Sequence, residues 1–549
     1  MSRLYFFSSL TSVFFVTATA MAAELPDAGT TLQNLREAPS LPPASPALPL
    51  PAQKNFSAQP GGAKVEIRSF HIQGNSVIKT EALLNLLQDA KGKQLDFSEI
   101  KALADRITAY YHAHDLPFAR AFIPTQSMNN GMLDIGIVEG HYGSTSIKGD
   151  HARADAAQYF LTPLKKNAVI EGSKLERTSL ILSDQPGYIF TPVIRPGTEL
   201  GTGDISFLME QDKLFGGVVR MDNHGNRFTG KNRVRTDLYT NSLMAFGDRT
   251  TISAIYTEEN MWYGSLGYSL PIGYDGLRAN INYAHTYYQL GKEFSSLDAH
   301  GTADVFSVGA SYPLIRSQQK NLSLSANYQH KLLKDKQDST STQNNKNSDT
   351  LPITLNFDVR DTFMGGGITY GALNWTHGIL NLDSNLKSAD NTSARTAGHF
   401  DKLNIDIARL QSTGVENLVL YARGSAQAAA KNLDSSEDFG LGGPEGVRAY
   451  PTGESYGDEG FLIQTELRYK INRYSPYIFY DYGHSKINRN PWTSGNNTRS
   501  IAGGGLGVRF TSGGWSVDAL VAWRTTGGTP QSDDTARSPL AWVNLAYAF

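Results

Sequence analysis

Three stretches of the chain combine residue types that could do chemistry. Gly225-Asn226-Arg227-Phe228-Thr229-Gly230-Lys231 has the spacing of a phosphate-cradling loop, in which backbone N–H groups and the lysine would hold a nucleotide. Position 232 is Asn, however, where Ser or Thr should hold magnesium, and Val234, Thr236 and Leu238 alternate as a strand where a helix N-terminus should face the phosphate. A hairpin loop is the simpler reading. Gly453-Glu454-Ser455-Tyr456-Gly457 fits the nucleophile-elbow pattern of hydrolases, but that elbow needs a strand before the serine and a helix after it, and neither flank has that texture. His484 alone follows Ser455 among the histidines, so a Ser-Asp-His order would rest on it. The other histidines lack metal-ligand spacing and the chain has no cysteine, so neither a metal nor a cofactor is expected and the protein reads as a non-enzyme.

The third stretch is a pair. Val447-Arg448-Ala449-Tyr450 lies in a long irregular segment, and Phe479-Tyr480-Asp481-Tyr482-Gly483 lies in a later strand. By alternation Tyr477, Phe479 and Asp481 share one face of that strand, opposite Ile478, Tyr480 and Tyr482. If the strand belongs to a barrel, Asp481 points into the lumen, and Arg448 on an inward-folded loop could meet it in a bidentate ion pair. Equally, Arg448 reads as a solvated loop arginine and Asp481 as a pore-lining charge; spacing alone does not choose.

The elements that must position these residues follow from composition and period. Lys+Arg 50 against Asp+Glu 52 gives a net charge of −2, so no bulk field points to nucleic acid. Gly 52, Tyr 26 and Phe 25 suit glycine turns and aromatic girdles. Arg3, the apolar run from Leu4 to Val16 and Ala20-Met21-Ala22 predict a signal peptide over 1–22. No later run reaches the about 18 apolar residues of a spanning helix, so any membrane segment must be a closed barrel.

A short helix is expected over 24–38, with Asp27 as N-cap and Leu32 and Leu35 on one side, followed by a proline-punctuated linker at 39–62. Two similar β-α-α-β-β units follow, at 63–140 and 141–212. From 213 to 549 alternating segments predict about sixteen antiparallel strands, with short links interleaved with long ones. The longest links are the Ser/Thr/Asn-rich 333–350, expected as a loop, and 429–459, expected as the inward loop. The fold class expected is mainly β, a sixteen-stranded transmembrane barrel behind two small α+β domains.

At this point the chain resembles the outer-membrane transporters of two-partner secretion (TpsB type), relatives of the barrel-assembly insertase. Val447-Arg448-Ala449-Tyr450 is similar to the family's VRGY loop motif with Ala449 in place of glycine, and Phe479, Asp481 and Gly483 fit its FxDxG strand motif. Tyr312 to Ser317, Asp222 to Gly225 with Thr229-Gly230, and Asn241 to Asp248 add weaker likeness. The resemblance implies a plug helix in the pore, two POTRA domains in the periplasm, an Arg448–Asp481 contact pinning the inward loop, and secretion of a large exoprotein with an N-terminal secretion domain. That cargo would be an adhesin, a haemolysin or a contact-dependent growth inhibition toxin. Further partners implied are outer-membrane lipids and the barrel-assembly machinery, with the transporter itself a monomer. The Ala449 departure puts the tight turn at that position in question. The rival readings are an outer-membrane insertase, an enzyme displayed on a barrel, and a passive porin.

Overall fold

The computed structural model describes residues 25–46, 59–127, 129–149, 153–533 and 537–549. The expected signal peptide and residues 47–58 of the expected linker lie outside them. The first element, α1 (Ala28–Gln33), is shorter than the expected 24–38. Asp27 caps it by accepting the Thr30 N–H and reciprocally donates its own N–H to the Thr30 hydroxyl, but Pro39 biases the preceding chain to an extended form, and Asn34 and Glu37 are drawn out to partners on other segments.

Two α+β domains follow. The first comprises β1 (Ser69–Gln73), α2 (Thr80–Leu86), α3 (Phe97–Ala113), β2 (Arg120–Phe122) and β3 (Met132–Val138). Its sheet order is β1-β3-β2, with β3 central and parallel to β1. The apolar stripe Ile100, Leu103, Ala104, Ile107 and Tyr111 of α3 packs onto Ile72, Leu133 and Ile135, as its 3.6-residue spacing requires. The second domain repeats the plan with β4 (His141–Lys148), α4 (Ala154–Gln158), α5 (Gly172–Ser183), β5 (Tyr188–Pro196) and β6 (Thr202–Gln211), in the order β4-β6-β5.

The rest is a closed antiparallel barrel. Its strands are β7 (Phe215–Asp222), β8 (Arg233–Asn241), β9 (Arg249–Thr257), β10 (Trp262–Ile272), β11 (Leu277–Gln289), β12 (Ala299–Arg316), β13 (Lys320–Gln337) and β14 (Thr342–Asp361). The second half is β15 (Gly367–Leu382), β16 (Gly398–Ser412), β17 (Leu418–Ala429), β18 (Glu459–Tyr469), β19 (Tyr474–Lys486), β20 (Thr498–Ser512), β21 (Trp515–Thr526) and β22 (Leu540–Ala548). Period-two alternation sorts each strand into a lumenal and an outward face: on β19, Tyr477 and Phe479 are 3 % and 6 % exposed, Ile478 and Tyr480 60 % and 48 %. Leu266, Ile281, Val308, Leu373 and Leu506 belong to the exposed outward band, as a barrel crossing lipid requires.

One expectation fails here. The stretch 333–350 is not a loop: β13 and β14 continue through it as a hairpin whose tip is the short turn Asp338–Thr340. At 20 residues β14 far exceeds the about 9–11 needed to cross a bilayer, so the excess stands in water. There backbone pairing needs no apolar face, and Ser, Thr and Asn serve as well as Val. The barrel closes where β22 meets β7 over five residue pairs, Asn544↔Asp222 to Ala548↔Val218, the shortest register in the barrel.

Candidate functional site

The segment between β17 and β18 folds back into the lumen. Val447, Arg448, Ala449 and Tyr450 are all buried there, and so is Asp481 on the inward face of β19. Arg448 Nε donates to Asp481 Oδ2 at 2.8 Å and its Nη2 to Oδ1 at 2.6 Å, a bidentate pair; the Arg448 backbone N–H adds a third bond to Oδ2 at 3.1 Å. The guanidinium sits 3.8 Å from the Phe479 ring centroid, and its remaining nitrogen, Nη1, donates to Glu466 on β18. Of the two sequence readings, the paired one is the geometry observed. Tyr450 donates to the carbonyls of Thr526 and Gly528, at 2.7 and 3.0 Å.

Sequence reasoning missed three participants. Glu466 also receives Arg509 at 3.0 Å and Arg468 at 2.7 Å, and Trp542 Nε1 donates to the Arg448 carbonyl at 2.7 Å. Only the register that sets Glu466 opposite Phe479 reveals the first. Gly503 on β20 is the third: a Cβ there would lie 2.2 Å from the Ala449 methyl. Ala449 is absent from the left-handed backbone positions, so the glycine of the family motif is not required for the turn, and the neighbouring strand supplies the space instead. Gly483 likewise admits Leu441 and Val447, to which a Cβ would come within 2.9 and 3.2 Å.

Helix α1 lies against this loop. Lys346 on β14 bridges Asp27 of the helix and Asp434 of the loop, each at 2.8 Å, and Ser435 donates to Asp27 at 2.6 Å. Gly29 packs so closely that a Cβ would approach the Ser436 nitrogen to 2.6 Å. Leu32, together with Leu35 just beyond the helix, packs on Phe228, Tyr288, Leu290 and Leu333 of the barrel side. Glu437 of the loop pairs with Lys331 and Lys402 of the wall. Below, the chain descends through the lumen: Arg360 donates to the Pro43 carbonyl at 2.8 Å and Arg316 to Ser45 at 2.8 Å. A cavity of about 620 Å³ remains between α1, the loop and the wall, lined by groups that include Arg220, Arg235, Asp406 and Glu445.

The weaker sequence motifs fall at interfaces. Arg316 forms a bidentate pair with Asp184 of the second small domain, 2.7 Å in both bonds, while Arg177 of that domain donates to the Pro313 carbonyl at 2.7 Å. In the turn 241–248, Asp248 accepts the N–H groups of Leu243, Met244 and Ala245, projecting Phe246 into the core of the same domain. Thr452 donates to the His224 carbonyl at 2.8 Å, and Gly225 N–H closes its own loop on Lys231. Ser455 and His484 do not meet: Ser455 bonds Ser485 at 2.7 Å, whereas His484 bonds Ser500 from the other face of β19.

The family model described as haemolysin secretion/activation protein ShlB/FhaC/HecB matches residues 201–510, more than half of the chain, and the POTRA domain, ShlB-type, matches 65–140. The chain belongs to the ShlB/FhaC/HecB family. It is therefore an outer-membrane secretion transporter, its POTRA domains in the periplasm and the β13–β14 hairpin outside the cell. Among curated relatives, the heme/hemopexin transporter protein HuxB of Haemophilus influenzae (strain 86-028NP) is 25 % identical over 94 % of both chains. The outer membrane transporter CdiB of Dickeya dadantii is 22 % identical over 78 % of this chain and 77 % of that one. In fold, CdiB from Escherichia coli superposes with a TM-score of 0.73 at 18 % identity, covering 91 % of this chain and 94 % of that one. BamA from Haemophilus ducreyi, lacking POTRA domains 1–3, gives 0.51 at 11 % identity over 88 % and 100 %, a likeness of fold alone, and the family match leaves the insertase alternative less supported.

Proposed function

We propose that this transporter exports one large partner exoprotein, presented with an N-terminal secretion domain, and that α1 and the inward loop close its pore at rest. The cargo is of the adhesin, haemolysin or contact-dependent growth inhibition toxin class, and a relative named hemolysin transporter protein HpmB supports the second of these. An extended cargo can add a strand to a POTRA sheet, whose edges here are β1 and β2 in the first domain and β4 and β5 in the second. Backbone hydrogen bonds then give affinity with little demand on sequence. The helix leaves on its proline tether, while Arg448 and Asp481 hold the loop to the wall. A monomer suffices, since one barrel encloses the whole path; folding of cargo outside supplies the drive.

The observation that carries this reading is a six-residue helix, too short to be stable alone, seated in the lumen by a lysine it shares with the inward loop. The test is single-channel conductance in planar bilayers, wild type against deletion of residues 24–38. A small, flickering current that becomes large and steady on deletion is expected. Equal conductance would remove the plug and return weight to the insertase reading.

A further inference from the structure

Among the described residues, six histidines lie on barrel strands: His285, His300, His330, His377, His399 and His484. All six share the outward face of their strand at its external end. The face is fixed by alternation with the exposed Tyr283, Phe306, Tyr328, Trp375, Leu403 and Tyr480, one on each of the six strands. Three successive hairpins repeat one arrangement. An ascending strand carries aromatic-x-His (Tyr283/His285, Tyr328/His330, Trp375/His377), and the descending partner sets an aspartate opposite. The Nδ1 to carboxylate distances are 2.7 Å to Asp304, 2.7 Å to Asp349 and 3.0 Å to Asp401. Tyr283 and Tyr328 donate to the same aspartates, at 2.6 Å each. Ring contacts place the imidazoles in the girdle itself: His285 is 4.8 Å from Trp262 and His484 5.8 Å from Phe461. Farther out on the same face of β13 stand the exposed Lys334 and Lys336.

An interfacial girdle needs only aromatic rings. The periplasmic girdle conforms, with Tyr474, Trp515, Tyr547 and Phe549 exposed and no strand histidine beside them among the described residues. The His–Asp pairs therefore answer to something present at one leaflet. With Nδ1 committed to the carboxylate, each ring keeps Nε2 for a further hydrogen bond, and the carboxylate keeps acceptor capacity. Carboxylates accept hydroxyls and repel bare phosphate; lysines attract phosphate as point charges. We infer that this outward rim is a binding belt for phosphorylated glycolipid headgroups, with sugar hydroxyls at the His–Asp pairs and phosphates at Lys334 and Lys336. The belt lies on the opposite side of the wall from the pore, so its failure would leave the transport reading untouched.

The full-length protein would be reconstituted in phosphatidylcholine vesicles alone, with added phosphatidylglycerol, or with added bisphosphorylated lipid A. Barrel melting and lipid retained after mild detergent extraction would be read in each. Lipid A should raise the melting temperature and be retained, phosphatidylglycerol should do neither, and His285→Ala/His330→Ala/His377→Ala should bind lipid A about tenfold more weakly. Should that variant melt early in phosphatidylcholine alone, Lys334→Gln/Lys336→Gln, whose side chains are exposed, decides the matter by the same loss. An equal response to phosphatidylglycerol, or lipid A binding unchanged in a folded variant, overturns the belt.

Discussion

Removing Arg448 strands the Asp481 charge inside the barrel, whereas removing Asp481 leaves Arg448 its Glu466 partner, and this asymmetry sets the size of the expected effects. Arg448→Ala should destabilise the docked loop by about 3–5 kcal/mol, because Asp481 is left buried without its partner, and Asp481→Asn should cost less, because Arg448 keeps Glu466. Limited proteolysis of the inward loop in intact vesicles would register it as new cleavage between β17 and β18. Arg448→Lys should rescue little, since a single ammonium cannot serve Asp481 bidentately and Glu466 together. The Ala449–Gly503 contact allows a sharper test: Gly503→Ala should cost about 1–3 kcal/mol by overpacking, and Ala449→Gly in the same chain should recover part of it. The recovery is partial because a Cβ at 503 also meets the Trp523 carbonyl, at 2.6 Å. Additive losses in a thermal-melt double-mutant cycle would show the two positions to be uncoupled. Asp481 was legible as an inward charge because charge at an alternating position inside a barrel is informative, while the choice of Arg448 as its partner came from the family resemblance and not from spacing. Glu466 and Gly503 were not legible, because their meaning depends on inter-strand register, which period two leaves open by any even shift.

Elements were legible in proportion to their periodicity. The alternating barrel strands and the long helix α3 stand close to where the sequence puts them; the polar hairpin across 333–350 does not, since pairing outside the membrane leaves no apolar trace. The ends of α1 were equally hidden, being set by contacts with Lys346 and Tyr456 far along the chain. The first POTRA domain contains a buried carboxylate that ties its parts together. Glu139 accepts from the N–H groups of Ser76 and Val77, at 2.8 and 2.9 Å, and from the hydroxyls of Ser76 and Tyr111, at 2.5 and 2.9 Å. Burial pushes its pKa up, but these hydrogen bonds outweigh burial and hold the carboxyl below the usual range. A depressed carboxylate stabilises the fold fully above the unfolded value and loses that contribution as pH falls through the lower folded value. Hydrogen exchange of β1 and β3 in the full chain, taken relative to the intrinsic rate at each pH, should therefore quicken on acidification below the ordinary carboxylate range. In Glu139→Gln it should already be faster at neutral pH and respond less to acid. An unchanged acid response in that variant would place the titration elsewhere.

At the scale of the whole molecule, the second POTRA domain and the barrel share a core. Phe246, from a barrel turn, lies 5.5 Å from Phe160 and 5.7 Å from Tyr188, ring to ring, and is 8 % exposed. No local pattern could show this, since the ring completes a core whose other members lie upstream in another domain. Phe246→Ala should cost the docked arrangement about 3–5 kcal/mol. Spin-label distances between α5 and the β12–β13 turn should broaden from one narrow peak to a wide distribution, and a peak that stays narrow would assign the docking to Arg316 and Asp184 instead. The placement of Phe246 also has a mechanical consequence. A cargo drawn outward while still gripped by the POTRA sheets pulls those domains toward the membrane, so the load on the ring, on Arg177 and on the Arg316–Asp184 pair is compressive. Compression seats a plug-and-socket joint more deeply, and tension in the exported chain would tighten the base of the transporter just when it is under strain.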